Sequence, residues 1–198
     1  MIKKFFDVLF AILILIFSFP LLIIIAFLIR KKISKEILFI QLRPGYMGKP
    51  FKLIKFRTMH DKKDMKGKLL PDSKRLSKFG EFLRSTSLDE LPSLINIIKG
   101  EMSFIGPRPL LMEYLAHYSK DEFRRHNVIP GLSGWAQING RNLITWDEKF
   151  KYDLWYVDNR SFFLDMKIIF LTIVNVLERK GIKTKKGEMM PKFTRNKT

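Results

Sequence analysis

The stretch Ser87-Leu88-Asp89-Glu90-Leu91-Pro92 sets two carboxylates side by side, one turn after Arg84. Ser87 with Glu90 three residues on has the pattern of a capping box, and acids are favoured in a helix's first turn. On that reading both acids are helix start signals and nothing more. Pro92 shifts the balance, because it cannot donate to the carbonyl of Leu88 and makes any helix irregular where the acids sit. A positive helix end favours the ionised carboxylate. An ionised aspartate can attack phosphorus and form an aspartyl-phosphate. Its neighbour can hold Mg²⁺, which prefers carboxylate and phosphate oxygens. The pair therefore suits phosphoryl transfer.

An anion that attacks an anionic diphosphate needs fixed positive charge to offset the repulsion and to stabilise the leaving phosphate. Arginines stand in loops, three of them beside Gly or Pro: Arg43 in RPG, Arg57 in KFRTM, Arg108 in GPRP and Arg141 in NGR. Such loops let backbone amides approach phosphate, and arginine suits bidentate phosphate contacts. Any one of them is equally explained as a surface ion pair; the set of loops is what suggests phosphate. Other chemistries lack their residues. No phosphate-binding GxxxxGK[ST], no GxGxxG and no GxSxG occurs, and His60, His117 and His126 show no metal-ligand spacing. The chain has no Cys, which excludes disulfides, Cys-ligated zinc and thiol nucleophiles, and fits a reducing compartment.

The elements that must position these groups are legible as patterns. Ile37–Leu42 and Phe51–Phe56 are short apolar or alternating runs around the turn formers Pro44 to Pro50, which predicts a β-hairpin. Residues 60–75 read as a charged surface loop. Leu76–Arg84, Leu91–Lys99 and Leu110–Arg125 have helical spacing, whereas residues 103–109 (SFIGPRP) cannot be regular helix. Pro130–Arg141 reads as a loop rich in Gly and polar groups. Trp146–Tyr156 and Leu164–Lys180 are amphipathic. Their aromatics (Trp146, Phe150, Trp155, Tyr156, Phe162, Phe163 and Phe170) sit among Lys and Arg. A core face is the common explanation of such a stripe; beside an anchor, contact with the membrane interface is favoured.

That anchor is the N-terminus. Val8 to Ile29 carries no charge, and about 22 residues at about 1.5 Å each span roughly 33 Å, a bilayer core. Arg30, Lys31 and Lys32 follow where a signal peptide would show a cleavage site. Pro20 removes a backbone hydrogen bond in mid-stretch, and Ser18 is placed to satisfy freed groups. Basic residues flank both ends: Lys3 and Lys4 before, Arg30 to Lys35 after. Because Lys and Arg prefer the cytoplasmic side, this symmetry suits a bent helix that enters and leaves by one face. A tilted span with a proline kink fits the residues equally. The whole chain has 37 Lys+Arg against 19 Asp+Glu, a formal net charge of +18 in 198 residues. It needs an anionic partner: nucleic acid, anionic lipid or a phosphorylated substrate.

SLDELP, followed by KGEMSFIGPRP and PGLSGWAQINGR, resembles the bacterial sugar transferases, the monotopic phosphoglycosyl transferases. QLRPG, KFRTM and RLSKFGEFLRSTSLDELP upstream fit the same pattern, so the resemblance covers nearly the whole chain. The short length is similar to the minimal, PglC-type members. Ser93 after ELP and Ile129 before PG depart from the family's usual Gln and Arg. The resemblance implies that Asp89 is a nucleophile attacking the β-phosphate of a UDP-sugar and releasing UMP. The phospho-sugar would then pass from Asp89 to undecaprenyl phosphate. It implies that Glu90 completes the dyad and binds Mg²⁺. It makes Arg84, Arg108 and Arg141 candidates for phosphate or nucleotide contact, with Gln137 a weaker one. It also implies a re-entrant helix broken near Ser18 and Pro20, on the bacterial inner membrane, with the catalytic domain on the cytoplasmic face.

The expected fold is α+β and predominantly helical. A re-entrant membrane helix (1–35) precedes a small catalytic domain (36–183) with one β-hairpin and amphipathic interface helices, then a basic tail (184–198) with no core signal. Expected partners are a UDP-sugar, undecaprenyl phosphate and anionic membrane lipids, not nucleic acid; a homodimer is left open. The competing readings are a membrane-anchored nucleic-acid binder and a non-catalytic scaffold on anionic lipid. Both leave the acid pair and the arginine loops idle.

Overall fold

A computed structural model describes residues 2–140, 144–178 and 192–194. Helix α1 (Ile2–Lys32) comes first, then the antiparallel hairpin β1 (Leu38–Pro44) and β2 (Pro50–Phe56), paired from Leu38 opposite Phe56 to Pro44 opposite Pro50. The short α2 (Asp72–Arg75) and α3 (Lys78–Ser85) follow, then a 3-10 turn over Leu88–Ser93 that runs into α4 (Leu94–Ile98). Strand β3 (Ser103–Ile105) leads to a 3-10 turn at Met112–His117, α5 (Lys120–Phe123) and another 3-10 turn at Arg124–His126. Strand β4 (Gly131–Ser133), the one-turn α6 (Trp135–Ile138) and the long helices α7 (Trp146–Asn159) and α8 (Phe162–Leu177) complete the chain. The fold is mostly helical and carries the expected small hairpin, together with a second two-stranded pair, β3 and β4.

The sequence patterns fail at three places. Leu110–Arg125 is not one helix: Tyr118 is extended, and Ser119 starts a new helix through a capping box with Glu122. The region Pro130–Arg141 is not all loop. Gly131–Ser133 pairs in parallel with Ser103–Ile105, too short a run for periodicity to reveal. The expected tail is not free of core contacts. Phe193 is only 5% exposed and sits among Tyr114, Tyr118, Trp146 and Phe150, closing an aromatic cluster that a scan for apolar runs overlooks.

Helix α1 is helical through Ser18 and Pro20, with no interruption of secondary structure there. The Ser18 hydroxyl donates to the carbonyl of Ile14, 2.6 Å away, rather than to that of Ile16, which Pro20 deprives of its donor. One stripe of α1 packs against the rest of the protein from end to end. Ala11 joins Phe51, Leu53, Leu94, Ile97 and Met102, while Ile25 and Ile29 join Phe56 and Leu83. Polar contacts tie the first turns: Lys3 Nζ lies 2.6 Å from Asp165, and Ser103 Oγ donates to Asp7 at 2.7 Å. The remaining circumference exposes Phe5, Phe10, Ile16, Phe17, Phe19, Ile24 and Phe27. Such an apolar exterior on a long helix suggests a membrane anchor.

The aromatics of the last two helices divide. Phe150 and Tyr156 of α7 are core residues, so the bland explanation holds there. On α8, Phe162, Phe163, Phe170, Ile173 and Leu177 are exposed at helical spacing, and the buried Asp165 and Ile168 face inward.

Candidate active site

The acid pair owes its geometry to an irregular turn, as Pro92 predicts. Ser87 adopts a left-handed conformation (φ 57°), and Leu88–Ser93 is 3-10 rather than α. The Ser87 side chain makes no cap bond. The capping-box explanation therefore fails, and the Glu90 carboxylate is turned elsewhere. Strand β2 fixes the turn. Ser93 Oγ donates to the Ile54 carbonyl at 2.7 Å, and Asn96 accepts from Ile54 N at 3.1 Å while donating to Lys52 O at 2.8 Å. Ser93 and Asn96 are both fully buried, so these bonds replace lost water contacts. The same strand delivers Lys55, whose Nζ is 2.5 Å from Glu90 Oε1.

Arg108 arrives from the other side. Its loop is clamped where β3 and β4 pair: Gly106 N donates to Ser133 O at 2.9 Å, and Gly131 N to Pro107 O at 3.0 Å. A Cβ on Gly131 would stand 2.1 Å from Gly106 N, so only glycine lets the two loops close. Below the loop, Arg125 donates to the Arg108 carbonyl at 2.8 Å and forms a buried ion pair with Asp153 at 2.6 Å. Arg108 Nη2 then reaches Glu90 Oε1 at 2.5 Å. Glu90 thus accepts from two cations on one oxygen, while Oε2 receives only a long 3.4 Å contact. Arg84, from α3, is steadied by a bond from Nε to Thr58 Oγ1 at 2.9 Å and has no carboxylate partner among the described residues.

The two acids are driven apart electrostatically. Burial raises Asp89 to about 6, and the Glu90 charge adds to that; Lys55, Arg108 and Arg84 pull the other way. Burial also opposes ionisation of Glu90, but Arg108 and Lys55 outweigh it and hold Glu90 far below the usual carboxylate range. Lys55 is itself lowered by burial, with Glu90 opposing. Asp89 takes no hydrogen bond or ion pair among the described residues. Glu90 is held toward the anion by its two cation partners. Asp89 is an unpaired carboxylate that burial pushes up to about 6, with three cations acting on it.

The structure brings together Asp89, Glu90, Arg84 and Arg108 from the residues expected. Arg141 lies outside the described residues. Gln137, in α6, has both amide atoms buried without a partner among the described residues, and it packs beside Gly134. Arg57 is an ordinary ion-pair residue held by Glu36 and by Asp61, the bland outcome for an arginine in a loop. Lys55 was missed: a lysine in an alternating strand carries no local signal. Arg125 and Asp153 were missed for the same reason, since their partnership spans distant elements.

Residues 1–179 match the family model described as bacterial sugar transferase. The chain belongs to that family and is a transferase of its class. It is 50% identical over 192 residues to an uncharacterised sugar transferase, EpsL, of Bacillus subtilis (strain 168), covering 97% of this chain and 95% of that one. It is 38% identical over 185 residues to a UDP-glucose:undecaprenyl-phosphate glucose-1-phosphate transferase of Xanthomonas campestris pv. campestris, covering 88% of this chain but 38% of that protein. The namesake in Escherichia coli (strain K12) is 38% identical over 183 residues, covering 87% of this chain and 39% of the relative. The chain therefore spans under half the length of these larger relatives.

Proposed function

We propose that this enzyme moves a phospho-sugar from a UDP-sugar to undecaprenyl phosphate through a covalent intermediate on Asp89. The observation that carries this is the division of labour in the acid pair: an unpaired, ionisable Asp89 beside a Glu90 consumed by Lys55 and Arg108. A carboxylate in that state is a competent nucleophile. In the first step an Asp89 oxygen bonds to the β-phosphorus of the donor. The bond from that phosphorus to the bridging oxygen breaks, and UMP leaves with the electron pair. In the second, an oxygen of the lipid phosphate bonds to the same phosphorus and displaces the Asp89 carboxylate. Undecaprenyl-diphospho-sugar results. Lys55, Arg84 and Arg108 supply preorganised positive charge for the phosphate oxygens in both steps. Relatives named for UDP-glucose and undecaprenyl phosphate support donor and acceptor of these classes.

Mg²⁺ fits the donor set. It takes one or two carboxylates and completes its shell with water and substrate phosphate, and no group of three or more acids or histidines stands ready among the described residues. Glu90 through Oε2, with Asp89 adjacent, would hold the ion, which would neutralise diphosphate charge when bound.

On this reading helix α1 bends at Pro20 while staying helical, and enters and leaves the membrane by one face, the cytoplasmic one. Both of its ends contact the same domain: Lys3 meets Asp165, and Ile29 meets Leu83 and Phe56. A helix crossing the bilayer would carry one of those ends away. The exposed α8 stripe lies in the interface beside it. The test is UMP release from UDP-glucose and UDP-N-acetylhexosamines with undecaprenyl phosphate and Mg²⁺. Wild type turns over and Asp89→Asn does not; an active Asp89→Asn enzyme sinks the reading.

A further inference from the structure

A cavity at Glu90, the neighbour of Asp89 in the chain, is lined by Arg43, Lys55, Glu90 and Arg108, with Leu53 and Leu110 among its apolar lining residues. Three of these charges are accounted for, since Lys55 and Arg108 both pair with Glu90. Arg43 is not. Its Nη2 donates to Gln41 Oε1 at 2.7 Å, its Nε is buried without a partner, and no carboxylate lies within ion-pair distance among the described residues. Burial lowers it to about 10, with the Arg108 charge adding to the effect. A half-buried guanidinium next to another cation, with the neutral Gln41 amide as its hydrogen-bond partner, is under-compensated inside the free protein. An entering anion would complete it, and its planar fork is shaped for two phosphate oxygens.

We infer that Arg43 and the cavity wall it shares with Arg108 form a second phosphate subsite, which holds the leaving α-phosphate of the donor while Asp89 engages the β-phosphate. The assignment rests on the transferase reading above. Two substrates carry the required chemistry, a nucleoside diphosphate and a lipid monophosphate. The donor is favoured because it alone presents two phosphates at once, one for the acid pair and one for Arg43.

The full chain in nanodiscs is compared as wild type, Arg43→Met and Arg43→Lys. In a two-step mechanism kcat/KM for each substrate reports its own half-reaction. Arg43→Met is expected to lower kcat/KM for the UDP-sugar about 100-fold and to leave kcat/KM for undecaprenyl phosphate unchanged. Arg43→Lys should recover part of the loss. The Tm of Arg43→Met stays level, because the charge removed is half-buried and has no carboxylate partner among the described residues; a structural role would lower it. A fall confined to undecaprenyl phosphate moves the site to the acceptor and overturns the donor assignment, and unchanged values for both overturn the subsite. UDP provides an arm that needs no turnover. It should raise the Tm of wild type and not of Arg43→Met. If wild type never turns over yet UDP separates the two proteins, the transferase reading has failed and the phosphate subsite stands. Equal shifts overturn it.

Discussion

At the scale of single residues, the account turns on unequal neighbours. Asp89 is expected to be dispensable for folding and indispensable for turnover. Asp89→Asn should abolish UMP release while leaving membrane association intact. The sign of its ionisation follows from its raised value. An acid raised in the folded state stabilises it when protonated, below the unfolded value near 3.9, and that contribution is lost as pH rises through about 6. At pH 7 the ionised Asp89 therefore costs stability, and Asp89→Asn should melt at or above wild type, as at other strained active sites. The same ionisation makes kcat/KM for the donor fall as pH drops through about 6. A profile flat from pH 5 to 8 would contradict Asp89 as the attacking anion. Removing divalent cations with a chelator should stop turnover, and Mg²⁺ should restore it. The acid pair and the GPRP arginine were legible in the sequence because spacing and proline mark them locally. Arg43 was singled out as one of the loop arginines that suggest phosphate, but its place in a cavity wall was not legible; Lys55 was not identified at all, because its role arises from the docking of β2 against other elements.

At the scale of elements, the site is a junction of three supports: the Leu88–Ser93 turn on β2, Arg84 on α3, and the Arg108 loop on the β3–β4 pair. The loop depends on the buried Arg125–Asp153 pair. Asp153→Ala should lower stability by about 3–5 kcal/mol, since it leaves a buried arginine uncompensated. It should also reduce turnover by loosening the Arg108 carbonyl. Chemical denaturation and donor kinetics on one preparation check both. Gly131→Ala should push the loops apart, because the added Cβ meets backbone rather than a yielding side chain. The sequence disclosed the hairpin and the two long final helices, where pattern length exceeds noise. It hid β3 and β4, each of which is only three residues long. It read 110–125 as one helix because apolar spacing continues across the turn at Tyr118 and Ser119.

At the scale of the molecule, an apolar exterior on α1 and α8 meets a basic domain. On the proposed reading, a lipid phosphate and a soluble nucleotide both reach the same acid pair. The absence of Cys makes topology directly measurable. Single cysteines placed at Ile2 and Lys35 should both react with an impermeant thiol reagent from the cytoplasmic side; opposite sides would establish a span. Phe163→Glu with Phe170→Glu should weaken binding to vesicles rich in anionic lipid without unfolding the domain, because both side chains are exposed. The anchor was plain from hydropathy. Its packing along the whole domain was not, because the stripe through Ala11, Ile25 and Ile29 is as apolar as the face it turns outward.

The most direct measurement is a single turnover with donor alone. Purified enzyme is mixed with excess UDP-sugar and Mg²⁺, without undecaprenyl phosphate, and UMP and intact protein mass are followed together. One equivalent of UMP per active enzyme is expected, with a mass gain of one phospho-sugar that maps to Asp89 and disappears when undecaprenyl phosphate is added. UMP formed only when both substrates are present, with no adduct on an enzyme that turns over, would contradict the covalent Asp89 mechanism.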